Sequence, residues 1–573
     1  MHFRVSAFTA AVFSALLAGC ATDDAPPAYL KVDEAARAAA AAVTGETPAA
    51  AMIKTDVDYL AADARAGREA GDEGYDAAAR YVAARFAAEG LKPGAGRRWF
   101  QTVTLRAATR DMDAAAMSLT GADGETTAFA HPDDFLIGQS MATPSFDVSG
   151  ALVFVGHGVV APEEGYDDYG DIDVAGKIVV AFSGAPQIFD SEKYAFYRSG
   201  DYKMKEAAAR GAVGYISLPD SAGLKRFPWA RRLTFAERAR FTWVGPDGVG
   251  DIAAPEIRGT AQLSAAGAEK LLAGEARDFA ALLEIADAGK GGFEPFALTK
   301  SASLAGASTF EEKKSANVAG IIKGGDPALR DEVVVLTAHL DHVGVHEPRG
   351  GGEDKIHNGA LDNAMGVATL LNVARSFKNS APPKRTLMFL AVTAEEKGLL
   401  GADYFVHYPT IDADRMVANV NLDMPLTLFE FTDVIAFGAE RSSLGEIVRD
   451  AASAADIAVI PDPIPEQGVF TRSDHYRFVE KGIPSVFLFL GFGNGGDKIF
   501  ADFMRDHYHR PSDETSLPID YASAARFADL NYRVARAVAD HATRPVWTEG
   551  DFFGERFGPS DAAPADAAAV EAP

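Results

Sequence analysis

The chain has 573 residues, 81 of them acidic against 55 basic, and a formal net charge of −26. That surplus leaves no basic field to displace counterions from a phosphate backbone, which excludes nucleic acid as a partner. A hydrophobic share of 48% with 24% charged residues is ordinary for a globular protein, and the length exceeds what one core serves, so two or three domains are expected.

Residues 1–19 read as a targeting segment. Met1–Arg4 carries one positive charge, and the apolar run Val5–Leu17 is too short to span a bilayer. Leu17-Ala18-Gly19-Cys20 resembles a bacterial lipobox, in which the cysteine is lipidated and becomes the mature N-terminus. Cys20 is the only cysteine, so neither an intramolecular disulfide nor thiol chemistry is available. Ala21, rather than Asp, after it implies by the same resemblance an outer-membrane lipoprotein facing the periplasm or exterior. Residues 20–49, rich in Ala, Pro, Asp and Thr, read as a tether with a short helix over 33–43. At the other end 546–573 is expected to be a tail, with "PSDAAPADAAAVEAP" (559–573) disordered.

Three blocks lie between. In 50–114, "YDAAARYVAARFAAEGL" sets Ala78, Val82 and Phe86 on one helical face and stops at Gly90, and "RRWFQTVTL" alternates like a strand. Residues 115–300 turn to short strands and Gly/Asp-rich turns. In 301–545 strands alternate with helices, the pattern of an α/β protein with a mostly parallel sheet. Its strands are Val333–Leu336, Thr386–Val392, Val417–Leu422 and Ser485–Leu490, near-continuous apolar runs suited to burial on both faces. In such sheets sites gather beyond the carboxyl ends of the strands.

Those ends carry the chemistry. The first strand runs into Thr337-Ala338-His339-Leu340-Asp341-His342. "HNGALDNAMG" (357–366) opens a helix, Glu395-Glu396 ends the second strand, and Asn421-Leu422-Asp423 ends the third. Asp506-His507-Tyr508-His509-Arg510-Pro511-Ser512-Asp513 follows the fourth. Each alone has a plain structural reading: a surface histidine, a helix cap, a charged turn. Together, carboxylates at one sheet edge would repel one another, and cations would relieve that. Imidazoles plus carboxylates without cysteine suit zinc or a similar divalent ion. Two histidines and three carboxylates are too many for one catalytic ion. They suit two if a carboxylate bridges, with a water shared in the open positions. One of Glu395 and Glu396 is then left over as the general base a metal hydrolase needs.

"TAHLDHVG", "HNGALDNAMGVA", "TAEEKGLLG", "NLDM" and "YHRPSD", in this order, resemble the co-catalytic zinc exopeptidases, the family of bacterial leucyl-type aminopeptidases and glutamate carboxypeptidases. The resemblance covers residues 50–114 and 301–545, the expected catalytic domain. It implies two divalent ions, most simply Zn2+, on a mostly parallel mixed sheet flanked by helices. One ion would be held by His339, Asp362 and Asp423, the other by Asp362, Glu396 and His509, with Glu395 as general base. Asp341 and Asp513 would be the carboxylates that orient His339 and His509, and the Asp362–Asn363 peptide would be cis. His507 is a rival to His509, which the Tyr-His pattern favours. Some relatives supply an oxyanion donor from a Tyr three residues before a Ser-Asp-His motif; here that position is Phe470, which leaves Tyr508 as the candidate. The middle block, with "FVGHGVVAPEEGYDDYGDIDVAGKIVVAFSG", resembles an inserted β-rich protease-associated domain (115–300) without a ligand motif of its own.

The implied activity is removal of N-terminal residues from peptides outside the cytoplasm, by a protein tied to the membrane through its lipid. A metallo-carboxypeptidase or dipeptidase would need a cationic pocket, for which Arg472 and Arg477 beside Ser473-Asp474-His475 are available. The substrate pocket is therefore expected around Phe470, Arg472, Ser473, Asp474 and His475. A catalytically silent binding module would not need the complete ligand set, and the insert disfavours a glutaminyl cyclase. The sequence specifies no oligomeric state.

Overall fold

The computed structural model describes residues 30–43, 47–347, 351–378 and 380–559. The signal-like segment, Cys20 and the tail beyond 559 lie outside the described residues. At the centre Thr386–Val392, Val333–His339, Met416–Asn421 and Ser485–Leu490 lie side by side, all parallel, each buried along its whole length. Side chains alternate between two cores. Val334, Leu336 and Ala338 face the helices Ala49–Leu60, Glu73–Ala88, Met365–Lys378 and Tyr521–Asp540, while Val333 and Val335 meet Phe405 and Phe478 on the opposite face. Helices on both faces are what allow strands this apolar. Asp433–Phe437 adds antiparallel to Ser485–Leu490, and Ala458–Ile460 closes that edge.

The other edge is built by one long strand, Phe296–Ile322, whose burial alternates through most of its length. Its C-terminal half pairs with Thr386–Val392 on one side and Phe100–Arg110 on the other. Its N-terminal half pairs with Ala116–Thr120 and Ser145–Phe154, in a second sheet completed by Ile178–Phe182, Gly214–Leu218, Gly259–Leu263 and Phe135–Ile137. The boundary expected after residue 300 therefore falls inside a continuous strand. Arg240–Val244, from the middle block, pairs with Phe100–Arg110 in the first sheet. The middle block thus has its own sheet and core but is stitched to the first at two places.

Both expected end segments are partly docked. Glu34–Ala41 is a helix whose cap, Asp33, accepts from Ala36 N–H at 2.8 Å, and it packs on Glu73–Ala88 through Ala36 and Ala40. Near the other end Asp551 caps the helix Phe552–Phe557, and Trp547 donates its indole N–H to Gly482 O at 2.9 Å. Phe553 is wholly buried against Phe196, Phe470 and Tyr476. Three phenylalanines and a tryptophan offer enough apolar area to hold so short a helix. Among the described residues no helix is long and apolar enough to cross a membrane. Phe553→Ala should destabilise the protein by about 3 kcal/mol, read as a lower denaturation midpoint; an unchanged midpoint would mean this helix is not part of the core.

Candidate metal centre

The strand ends converge on one edge of the first sheet. His339 is the last residue of its strand, Glu395 and Glu396 follow theirs after a turn, and Asp423 stands two residues past Asn421. Asp362 lies in the turn Ala360–Ala364 that opens the helix Met365–Lys378, and its peptide to Asn363 is cis. His509 follows the helix Gly496–Asp506. Ala394 (φ 55°), Met424 (φ 43°) and His509 (φ 54°) are left-handed although none is glycine. Backbone held this way beside a set of acids and imidazoles is typical of functional sites.

His339 Nε2 lies 3.0 Å from Asp423 Oδ1 and 3.3 Å from Asp362 Oδ1. His509 Nε2 lies 3.2 Å from Asp362 Oδ2 and 3.1 Å from Glu396 Oε2. The two oxygens of Asp362 thus face two different imidazoles. Among the described residues two trios bring ligand atoms close enough to share an ion, His339–Asp362–Asp423 and His342–Asp362–Glu396. His342 had no role in the sequence reading, although a second histidine three residues after His339 was a visible signal. Its Nδ1 is 2.8 Å from Glu396 Oε1, yet neither ring nitrogen, nor that oxygen, has a hydrogen-bond partner. Buried polar atoms left unmatched cost about 1–3 kcal/mol each, so the site fits a bound cation better than its bare side chains. His507 instead turns to Ser512, with Nδ1 3.0 Å from its Oγ.

Charge follows the geometry. Burial would raise Asp362, but hydrogen bonds from His339 and His509 and the nearby imidazoles hold it well below the usual carboxylate range. Glu396, likewise opposed by burial, is drawn down to about 2, chiefly by His509. Its neighbour Glu395 goes the other way: burial pushes it well up, His339 opposes, and Glu396, Asp423 and Asp474 push further. Two adjacent glutamates therefore sit in opposite electrostatic states. The Glu395 carboxylate makes no hydrogen bond or ion pair among the described residues, which leaves it free to take a proton. Tyr508 stacks on His509 with ring centroids 3.8 Å apart. Burial, then Asp362, Glu396 and Glu395, keep its hydroxyl protonated far above neutral pH, so it can donate a hydrogen bond.

The supporting carboxylates act differently from expectation. His339 Nδ1 faces the main-chain oxygen of Asp341 at 3.1 Å, while the Asp341 carboxylate accepts from the N–H groups of Glu395 (3.0 Å) and Glu396 (3.2 Å). Asp513 does not reach His509; its carboxylate accepts from Leu361 N–H (2.9 Å) and Asp362 N–H (3.0 Å). Both therefore fix the backbone of acidic residues rather than the histidine rings. Arg68, also missed from sequence, is buried and donates to four carbonyls: Leu340, Leu60, Asn358 and Gly359. It ties the loop after His339 to the loop before Asp362. Nothing in "ARAGRE" signals this, since the partners are main-chain oxygens up to 291 positions away.

A cavity of about 80 Å³ opens beside Asp423 and Tyr508, with Phe437, Phe487, Phe489 and Phe500 in its wall. Of the five expected pocket residues, Arg472 and Ser473 line it. Phe470, Asp474 and His475 do not: they are wholly buried where the chain turns into the helix His475–Val479. Ser473 donates to Asp423 Oδ2 at 2.6 Å and accepts from Asn421, which itself accepts from Thr337 Oγ1 at 2.6 Å. Arg477 is held by Glu480 at 2.8 Å and faces another cleft, beside Lys397 and Asp403.

Two ligand trios sharing one carboxylate, with a free glutamate and a tyrosine beside them, form a donor set that could hold metal ions. The pattern of Peptidase family M28 matches residues 317–535, the segment that carries the site. Aminopeptidase YwaD of Bacillus subtilis (strain 168) is 28% identical over 230 residues, 40% of this chain and 45% of that one. A probable leucine aminopeptidase 2 of Aspergillus oryzae is 29% identical over 192 residues, 32% of this chain and 34% of that one. The chain thus spans less than half the length of these curated relatives. Among solved structures, an aminopeptidase from Aneurinibacillus sp. strain AM-1 aligns over 85% of this chain and 93% of that one, at TM-score 0.47 and 19% identity.

Replacing Arg68 by Met keeps bulk but removes the tie between the two loops. The expected outcome is metal affinity or turnover lower by about 10- to 100-fold, with the far-UV circular dichroism retained. Full metal affinity in that variant would show that the loops hold without it.

Proposed function

We propose that the protein is a two-zinc aminopeptidase that removes N-terminal residues from peptides. The observation that carries the reading is the sharing of Asp362 between two ligand groups, with Glu395 uncommitted at their side. His339, Asp362 and Asp423 would hold one ion, and Asp362, Glu396 and His509 the other, with His342 behind Glu396. When bound there, the ions supply Lewis acidity and a water that is nucleophilic near neutral pH.

The rest is the work of side chains. Glu395 takes the proton of the attacking water and returns it to the leaving amine, a transfer favoured by a raised carboxylate pKa. The Tyr508 hydroxyl donates to the oxyanion as the carbonyl becomes tetrahedral. Ser473 and Asn421 hold Asp423 in orientation through the attack. The aromatic cavity favours a large apolar N-terminal side chain. Arg477 is tied to Glu480 and faces another cleft, so of the two candidate cations only Arg472 lines the aromatic cavity. The lipobox-like Cys20 supports an envelope lipoprotein, and the middle block is read as a protease-associated domain that borders the site.

Chelation should abolish hydrolysis of leucyl-anilide and zinc should restore it; activity indifferent to chelator would sink the metal reading. Glu395→Gln should keep both ions while kcat falls by about 10²- to 10⁴-fold, whereas Glu396→Gln should lose one ion per chain by elemental analysis. Rapid cleavage of N-acetylated peptides, with free N-termini ignored, would overturn the aminopeptidase assignment.

A further inference from the structure

The middle block approaches the aromatic cavity through the helix Ser191–Tyr197. It packs on the turns Pro465–Gln467 and Val469–Thr471, so tightly that a Cβ on Gly468 would lie 2.9 Å from Ala195 Cβ. Glu192 of this helix pairs with Arg441, whose guanidinium lies 5.0 Å from the Phe470 ring centroid. The next residue after these turns is Arg472, exposed at the rim of the cavity that Tyr508 and Asp423 also line. The residue that ends the docked helix is Arg198, half-buried. Arg226, exposed, ends the helix Ser221–Arg226 of the same block.

None of these three arginines makes a side-chain hydrogen bond or an ion pair among the described residues, and Arg198 has only the ring of Tyr194 at 6.0 Å. Burial, then the charge of Arg226, depress the Arg198 guanidinium; Tyr194 and Asp220 oppose this, and Arg472 adds to it. Arg198 thus lies within electrostatic reach of both Arg226 and Arg472. Unpaired guanidiniums that repel across a unit boundary are unusual in a chain with 81 acids and 55 bases. A planar fork of donors is the geometry that takes a carboxylate in bidentate fashion.

We infer that Arg472, with Arg198 and Arg226 of the middle block, forms a carboxylate-binding mouth on the leaving-group side of the site, so that short peptides are preferred. The inference rests on the aminopeptidase reading, which gives the aromatic cavity to the N-terminal side chain and leaves the rim to the rest of the peptide. The C-terminal carboxylate of a di- or tripeptide lies only about 4–7 Å past the scissile bond, at about 3.5 Å per extended residue. An acidic side chain in the residue after the scissile bond would present the same chemistry.

The test compares Leu-Leu, Leu-Leu-amide, Leu-Glu-amide and leucyl-anilide on the zinc-loaded full chain. The expected result is kcat/KM at least about tenfold higher for Leu-Leu than for its amide, carried in KM and reduced by salt. In Arg472→Ala and in the Arg198→Ala/Arg226→Ala double variant that ratio should fall towards one, with Arg472→Lys intermediate. A high rate on Leu-Glu-amide that falls in the same variants would assign the mouth to an acidic side chain and support it equally. Equal rates on Leu-Leu and its amide by the wild type, with leucyl-anilide cleaved, would overturn the mouth alone, and need no variant to fold. Cleavage of acetyl-Leu-Leu with no cleavage of leucyl-anilide would overturn the aminopeptidase reading, and this inference with it.

Discussion

The carboxylate of Asp362 is buried between two imidazoles, 3.3 Å from His339 and 3.2 Å from His509. It can stand there only because its backbone is fixed. Asp513 takes the N–H of Asp362 and of the residue before it, and Arg68 holds the carbonyls of Asn358 and Gly359 just upstream. Asn363 completes the frame, donating to Leu422 O at 2.9 Å and accepting from Gly366 and Met424 N–H. That last set ties Asp362 directly to the strand end that presents Asp423. So one carboxylate links two strand ends, a helix start and a distal loop, and the cost of burying its charge is offset only by the groups it faces. A pair of cations in the same place would complete that compensation.

The same economy governs the two glutamates. Asp341 grips both of their main-chain N–H groups, so the turn after Thr386–Val392 is rigid while the side chains diverge. Glu396 points at His342 and His509; the Glu395 carboxylate has no hydrogen-bond or ion-pair partner among the described residues. The difference in their protonation tendencies is thus set by where the turn aims each side chain, since their positions in sequence are adjacent. Around this centre the second sheet is joined by the strand Phe296–Ile322, and the helices Ser191–Tyr197 and Phe552–Phe557 wedge their aromatic rings behind the cavity wall.

Apolar strands and the chemistry at their ends were legible because each is a local property. Val333–Leu336, Thr386–Val392 and Ser485–Leu490 announced themselves as unbroken hydrophobic runs, and the helix around Ala78, Val82 and Phe86 by its period. The long strand was not legible as one element, since "LTKSASLAGASTFEEKKSANVAG" is polar on one side and serves two sheets in turn. Arg68, Asp341 and Asp513 bond to main-chain groups, and a main-chain partner leaves no mark on the sequence. His342 was visible as a residue but not as a neighbour of Glu396, because 54 positions separate them. The wholly buried Ser473-Asp474-His475 turn shows the converse: a conspicuous polar triplet of which only the serine reaches the cavity.

Whether Asp362 would serve two ions, as proposed, is tested most directly by anomalous diffraction at the zinc absorption edge. Crystals of the zinc-loaded protein should show two peaks of comparable height. One should lie against His339 and Asp423, the other against Glu396 and His509, with an oxygen of Asp362 facing each. A single peak, or two peaks of which one lies away from Asp362, would contradict the account.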